Sequence, residues 1–194
     1  MFAELVALAP PVHELTTLRP APPWVRFDHD QPGCWPVPDD LDVDLNARPG
    51  PVWLDGLAMR VRARLAAFDR PEVVGHSDFE SQNLRWIDRS LYAVHDWDSV
   101  AARPEAVLVG AAAAMFTATG ARLTEATVEQ TEQFLHAYGA ARGRGLDRDE
   151  EQACWAAGLW VRAFNAKKAS VSGDDEALDR LADEVPERLR RSGG

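Results

Sequence analysis

Polar side chains that can do chemistry gather in the middle of the chain, around two short β-rich runs. His76, Asp78 and Asn83 precede the first run, and Asp96 and Asp98 follow the second. Because a β-hairpin brings its two ends together, we expect the loops before and after it to share one small site. Carboxylate and amide oxygens form the hard donor set that suits Mg²⁺. A further carboxylate beside the metal can orient a hydroxyl group or take its proton, as phosphoryl transfer requires.

The elements that must position these residues are a hairpin and the helices around it. Residues 84–87 and 91–94 are the β-rich runs, and a polar turn at 88–90 separates them. Apolar residues at helical spacing from Leu57 to Phe68 predict an amphipathic helix before the hairpin. Four further helices are predicted over residues 104–117, 125–141, 149–166 and 176–190. The predicted fold class is therefore α+β and mostly helical.

Three local features refine this prediction. Pro104 suits the first position of a helix, whereas Pro186 is expected to kink or end the last helix. The apolar run 106–118 is hydrophobic on nearly all sides but too short to cross a bilayer, so we expect an interior helix.

Residues 1–56 hold ten of the thirteen prolines, which fix φ and remove amide donors. We interpret this part as a covering segment packed on the rest of the chain. Its anchors are expected to be the aromatic residues Trp24, Phe27, Trp35 and Trp53.

Composition narrows the range of partners. The formal net charge of −10 repels phosphate backbones and anionic headgroups, so neither nucleic acid nor a membrane surface is an expected partner. Cys34 and Cys154 form neither a disulfide scaffold nor a zinc pattern. The N-terminus lacks the basic cluster of a secretory signal, and a cytoplasmic location is the interpretation.

Two motifs carry a resemblance to a known family. His76-Ser77-Asp78 followed by Asn83, and Asp96-Trp97-Asp98 beyond the hairpin, resemble the catalytic and metal loops of protein-kinase-like enzymes. They are closest to the aminoglycoside phosphotransferase and choline kinase superfamily, with serine in place of the usual glycine at residue 77. The resemblance covers residues 57–194, interpreted as the C-terminal lobe of a protein-kinase-like fold whose hairpin carries both loops.

The resemblance implies a role for each residue. Asp78 would orient or deprotonate the acceptor hydroxyl, and His76 would brace the loop by hydrogen bonding. Asn83 and Asp96 would bind Mg²⁺ bridging the ATP phosphates, and Asp98 is a further metal-side carboxylate. The implied reaction moves the ATP γ-phosphate onto a small-molecule hydroxyl. The acidic surface could favour a cationic acceptor, but solubility is the preferred explanation of that surface.

The N-terminal lobe that clamps ATP in this family is expected to be absent from the chain. No lysine precedes Lys167, and none of the thirteen glycines falls into a GxGxxG or GxxxxGK pattern. We therefore interpret the 194-residue chain as a truncated enzyme and expect it to bind ATP weakly and to transfer little phosphate. Two alternatives stay open, namely a non-catalytic pseudokinase-like binding module and a metal-dependent hydrolase that uses His76, Asp78, His95 and Asp96.

The neighbouring side chains are assigned structural roles. Trp86 and Trp97 are expected to pack the hairpin against the helices. Glu80 is interpreted as solvated, and His95 as structural.

Overall fold

The computed structural model describes residue 4 and residues 21–119 and 124–194. Within these residues, the helices are α1 (Val52–Ala66), α2 (Glu105–Met115), α3 (Val128–Ala141), α4 (Arg148–Ser172) and α5 (Asp175–Arg191). The strands are β1 (Glu72–His76), β2 (Leu84–Ile87), β3 (Ser90–Val94) and β4 (Val100–Pro104). Single 3₁₀ turns occupy Pro23–Val25, Ser81–Asn83 and Trp97–Ser99. The α+β class is therefore confirmed.

The strands form two antiparallel pairs. β2 and β3 make the predicted hairpin, with an irregularity between Arg85 and Trp86. β1 pairs with β4, and His76 lies opposite Val100 at the end of that ladder. β4 is missing from the sequence prediction because its residues, VAARP, include a single β-branched side chain, that of Val100, and no aromatic one. His76 is the last residue of β1, and its partner Val100 is the first residue of β4. The loop that follows β1 and the loop that precedes β4 therefore lie side by side.

The helical core is built around α4. Helix α2 crosses α4 closely at Gly110, where a Cβ atom would lie only 2.1 Å from the main-chain oxygen of Cys154. Every residue of α2 from Ala106 to Met115 is buried, so the predicted interior helix is confirmed. None of the helices in the described ranges is both long and apolar enough to cross a membrane.

The described part of the Pro-rich segment packs into the same core. Trp35 is 1% exposed and stacks on Trp160 of α4, with ring centroids 5.8 Å apart. Phe27 is buried as expected, whereas Trp53 is 40% exposed and does not serve as an anchor. Residues 1–3 and 5–20 of this segment lie outside the described part of the chain.

Several helix boundaries differ from the prediction. Helix α1 begins at Val52, five residues before the first residue of the apolar pattern. Pro104 ends β4 and precedes the first residue of α2. Helix α4 continues to Ser172, and Gly173 ends it in the left-handed conformation at φ 75°. Pro186 does not end α5, because the helix continues through it to Arg191.

Candidate functional site

His76 braces the loop that follows β1. It is 1% exposed, and its Nε2 atom lies 2.7 Å from the main-chain oxygen of His95. Its Nδ1 atom accepts a hydrogen bond from the amide of Asp78 at 3.3 Å. Because a carbonyl only accepts and an amide only donates, Nε2 must carry the ring proton in this arrangement. The imidazole thus ties the loop before the hairpin to the loop after it.

Asp78 and Asn83 face each other across a tight loop. The Asn83 Nδ2 atom donates to the Asp78 carboxylate at 2.8 Å and to the Asp78 main-chain oxygen at 2.9 Å. The loop is closed further by main-chain hydrogen bonds from Glu80 to Asp78 and from Asn83 to Glu80. Burial raises the pKa of Asp78, and the hydrogen bond from Asn83 offsets part of that rise. The carboxylate is therefore held in one orientation by its own loop.

Asp96 begins the loop after the hairpin in a conformation that few residues adopt. Its φ of 64° and ψ of 47° place it in the left-handed region, where aspartate is tolerated better than bulkier residues and where functional sites are enriched. A hydrogen bond with Asp98 is the main cause of a raised pKa for Asp96, and the charge of Asp78 contributes to it. The motif therefore places two carboxylates in direct contact with each other and within electrostatic range of Asp78.

Two adjoining cavities receive these residues. The Asp78 cavity, of about 260 Å³, is lined by Asp78, Glu80, Gln82 and residues of α2 and α4. The Asp96 cavity, of about 440 Å³, is lined by Asp96, Asp98, Ser99 and the Pro-rich segment. Trp24 and Asp39 line both cavities. The loops therefore bring Asp78, Asp96 and Asp98 to two cavities that share a wall instead of to one cavity, whereas His76 and Asn83 line neither.

The Pro-rich segment supplies one wall of the site. The indole nitrogen of Trp24 donates to the main-chain oxygen of Ser77 at 3.0 Å, which fixes the ring beside the loop that contains Asp78. Asp39 and Asp40 line the Asp78 cavity, and Asp40 forms an ion pair of 2.6 Å with Lys168 of α4. Sequence reasoning missed these residues, because it treated residues 1–56 as a cover. The Asp39-Asp40 pair beside prolines was the available signal.

Glu80 corrects a second prediction. It is 8% exposed instead of solvated, and its carboxylate accepts a hydrogen bond of 2.5 Å from Gln82. Burial, followed by the neighbouring charge of Asp78, raises the pKa of Glu80 to about 7. Of the four carboxyl groups that line the Asp78 cavity, the one of Glu80 therefore has a pKa close to neutral pH.

The aromatic residues of the hairpin are also placed differently. Trp86 and Trp97 are each about half exposed, so they do not pack the hairpin against the helices. Trp97 instead contacts the edge of the His76 ring at 5.4 Å between centroids. His95 is exposed, and its main-chain oxygen, not its ring, makes the contact with His76.

The donor set around Asp96 has the chemistry that Mg²⁺ prefers. Asp96 and Asp98 offer carboxylate oxygens in mutual contact, and such a like-charged pair is relieved by a cation. Asn83 uses its amide nitrogen toward Asp78, so its Oδ1 atom is the only side-chain atom left that could accept a metal. Within the described ranges, no three His, Cys, Asp or Glu side chains converge into a metal-binding group. A metal held here therefore needs oxygens from outside that class, such as the Asn83 amide and the substrate phosphates.

A larger cavity of about 560 Å³ lies between α3 and the start of α4 and contains none of these residues. Its lining includes Leu135, His136 and Arg144. The concentration of carboxylates, the left-handed Asp96 and the interlocked loops identify the two smaller cavities as the candidate site.

Comparisons with protein-family models, curated proteins and solved structures give no match for this chain.

Proposed function

We propose that this protein is a phosphotransferase that moves the γ-phosphate of ATP onto a hydroxyl group of a small molecule. The observation that carries the proposal is the interlocking of the two motif loops. The Asp78 carboxylate is hydrogen-bonded to Asn83, and His76 links the Asp78 amide to the loop that holds Asp96. That is the arrangement in which an acceptor hydroxyl and a metal-bound phosphate can meet.

Asp78 is the group that acts on the acceptor. In the transfer, the acceptor oxygen forms a bond to the γ-phosphorus while the bond from that phosphorus to the ADP oxygen breaks. The acceptor's hydroxyl proton passes to the Asp78 carboxylate. A raised pKa makes the ionised form of this carboxylate a stronger proton acceptor. The hydrogen bond from Asn83 keeps the carboxylate oriented toward the cavity.

Asn83, Asp96 and Asp98 are the residues that would hold Mg²⁺. A divalent ion bound there supplies charge neutralisation to the phosphate chain. Asp96, which has a left-handed backbone, lines the Asp96 cavity, and that cavity adjoins the Asp78 cavity at Trp24 and Asp39. Acceptor and nucleotide would thus enter through different cavities and meet where Trp24 and Asp39 line both.

The test is γ-phosphate transfer from labelled ATP in the presence of Mg²⁺, against a panel of aminoglycosides, choline, amino-alcohols and sugars. Asp78→Asn keeps the size of the side chain and an oxygen for the Asn83 hydrogen bond, yet removes the base. We expect kcat to fall about 10²- to 10⁴-fold, the usual range for loss of a general base, with little change in the melting temperature.

Asp88→Asn is the matched control, because Asp88 lies in the turn at the opposite end of the hairpin and also has a left-handed φ of 54° that asparagine accepts. Transfer should be unchanged in that variant. Full activity of the Asp78→Asn protein would remove Asp78 from the mechanism. Absence of both transfer and Mg²⁺-dependent ATP binding in the unmodified protein would refute the proposed function.

A further inference from the structure

Arg26 brings a positive charge to the wall of the Asp96 cavity. It follows the 3₁₀ turn Pro23–Val25, and its amide donates to the Pro23 oxygen at 3.1 Å. The same cavity is lined by the carboxylates of Asp39, Asp96 and Asp98. Arg26 therefore lies where a metal-bound phosphate chain would lie in the proposed reaction.

The backbone around Arg26 is held firmly on both sides. Arg103 of β4 is 8% exposed and donates to the main-chain oxygen of Val25 at 2.9 Å, while its charge pairs with Asp28 at 2.9 Å. On the other side, Trp24 is bonded to the loop of Asp78 through the Ser77 oxygen. The turn before Arg26 is thus fixed both to the β1–β4 ladder and to the loop that contains Asp78.

The guanidinium of Arg26 is not committed to a partner in the described part of the chain. No ion pair within 4.0 Å involves it among the described residues, and its buried Nε atom has no hydrogen-bond partner there. Because a guanidinium carries five N–H donors and Arg26 lines the cavity, it keeps donors for an anionic ligand that enters there. Arginine forms two parallel hydrogen bonds with phosphate, which suits this role.

The two lysines of the chain are already engaged. Lys167 is 1% exposed and bonds to Asp55 at 3.2 Å and to the Arg48 oxygen at 3.1 Å. Lys168 forms its ion pair with Asp40 at the Asp78 cavity. Arg26 is therefore the cation of the candidate site that remains available to a ligand among these three.

We propose that Arg26 binds the phosphate chain of the nucleotide in the Asp96 cavity, a statement that rests on the proposed function. A cavity of about 440 Å³ accommodates a polyphosphate with its metal ion. Asp96 and Asp98 face the metal, and Arg26 contacts the phosphate oxygens from the Pro-rich side. The family that the chain resembles binds the ATP phosphates with a lysine on a strand. In this proposal Arg26, from the Pro-rich segment, supplies that positive charge instead.

The test is calorimetric binding of Mg²⁺·ATP, ADP and adenosine to the full chain and to Arg26→Gln. Loss of one charge-assisted bidentate contact should weaken Mg²⁺·ATP binding about 10-fold or more, while adenosine, which has no phosphate, should bind as before. Arg26→Lys should restore part of the affinity. The matched control is Arg148→Gln, an exposed arginine in the first turn of α4 that lines neither cavity.

The outcomes separate this inference from the function on which it rests. Weaker Mg²⁺·ATP binding by Arg26→Gln alone, with an unchanged melting temperature, supports the inference. Equal binding by Arg26→Gln and the unmodified protein overturns the inference and leaves the phosphotransferase proposal standing. No Mg²⁺·ATP binding by the unmodified protein overturns both.

Discussion

Replacing Glu80 by glutamine should make the protein more stable at neutral and alkaline pH. The pKa of this carboxyl group rises from 4.5 to about 7 in the folded chain, mainly through burial. At 1.36 kcal/mol for each pKa unit, ionising Glu80 inside the fold costs about 3 kcal/mol. Glutamine has nearly the same shape and can still accept the hydrogen bond from Gln82, but it carries no charge.

The sign of the pH dependence follows from proton binding. Between pH 4.5 and about 7 the folded protein keeps a proton on Glu80 that the unfolded chain has lost. The contribution of Glu80 to stability therefore falls as the pH rises through this window and is constant above it. The Glu80→Gln variant has no carboxyl group at this position, so its stability does not fall in this way. Its free energy of unfolding should equal that of the unmodified protein near the lower limit and exceed it by about 3 kcal/mol above the upper one.

Urea unfolding followed by tryptophan fluorescence, in metal-free buffers from pH 4 to 9, measures this difference. Glu151→Gln is a suitable control, because it removes an exposed carboxylate from the first turn of α4, outside both cavities of the candidate site. We expect no comparable gain in stability from it. A difference between Glu80→Gln and the unmodified protein that does not change with pH would refute the assignment of a buried, titrating Glu80.

Two further predictions concern the scaffold, and thermal or urea unfolding measures both. Gly110→Ala should destabilise the protein by about 3 kcal/mol or more, because its Cβ atom would overlap the Cys154 oxygen of α4 and force the helices apart. Gly56→Ala, on an open face of α1, should instead stabilise the protein by about 0.5–1 kcal/mol. Equal effects of the two changes would contradict the close crossing. Thr127→Ala should cost about 1 kcal/mol, because the Thr127 side chain accepts a hydrogen bond from the Gln130 amide in the capping box of α3; an unchanged melting temperature would argue against that cap.

The sequence predicted the helices best where one local pattern dominated. The alanine-rich stretch 106–115 is apolar all round and forms the interior helix α2. Helix α4 was shortened in the prediction at its C-terminal end, because four of the six residues from Lys167 to Ser172 are polar. The helix ends only at Gly173. Pro186 was expected to kink or end α5, yet the helix continues beyond it. Leu178 and Leu181 before the proline and Arg188 after it are buried, so tertiary packing holds the helix on both sides of Pro186.

The candidate site divides in the same way. The loops of Asp78 and Asp96 were predictable, because two motif fragments flank one hairpin and the ends of a hairpin are close in space. The contributions of Asp39 and Lys168 were not predictable, because they reach the site from segments far away in sequence. The burial of Glu80 depends on how the loop folds back over α2 and α4, and a single charged residue gives no sign of that.

The packing of Trp35 on Trp160 bears on how this protein can be divided or recombined. Residues 21–51 are not a detachable prefix, since they fill the core against α4 and close one side of both cavities. Trimming the chain at residue 57 would strip α1 of its first turn and expose Trp160, so the product would be a damaged domain and not a minimal one. In a chimera, exchanging this segment would replace Trp24, Arg26 and Asp39 of the candidate site in one step.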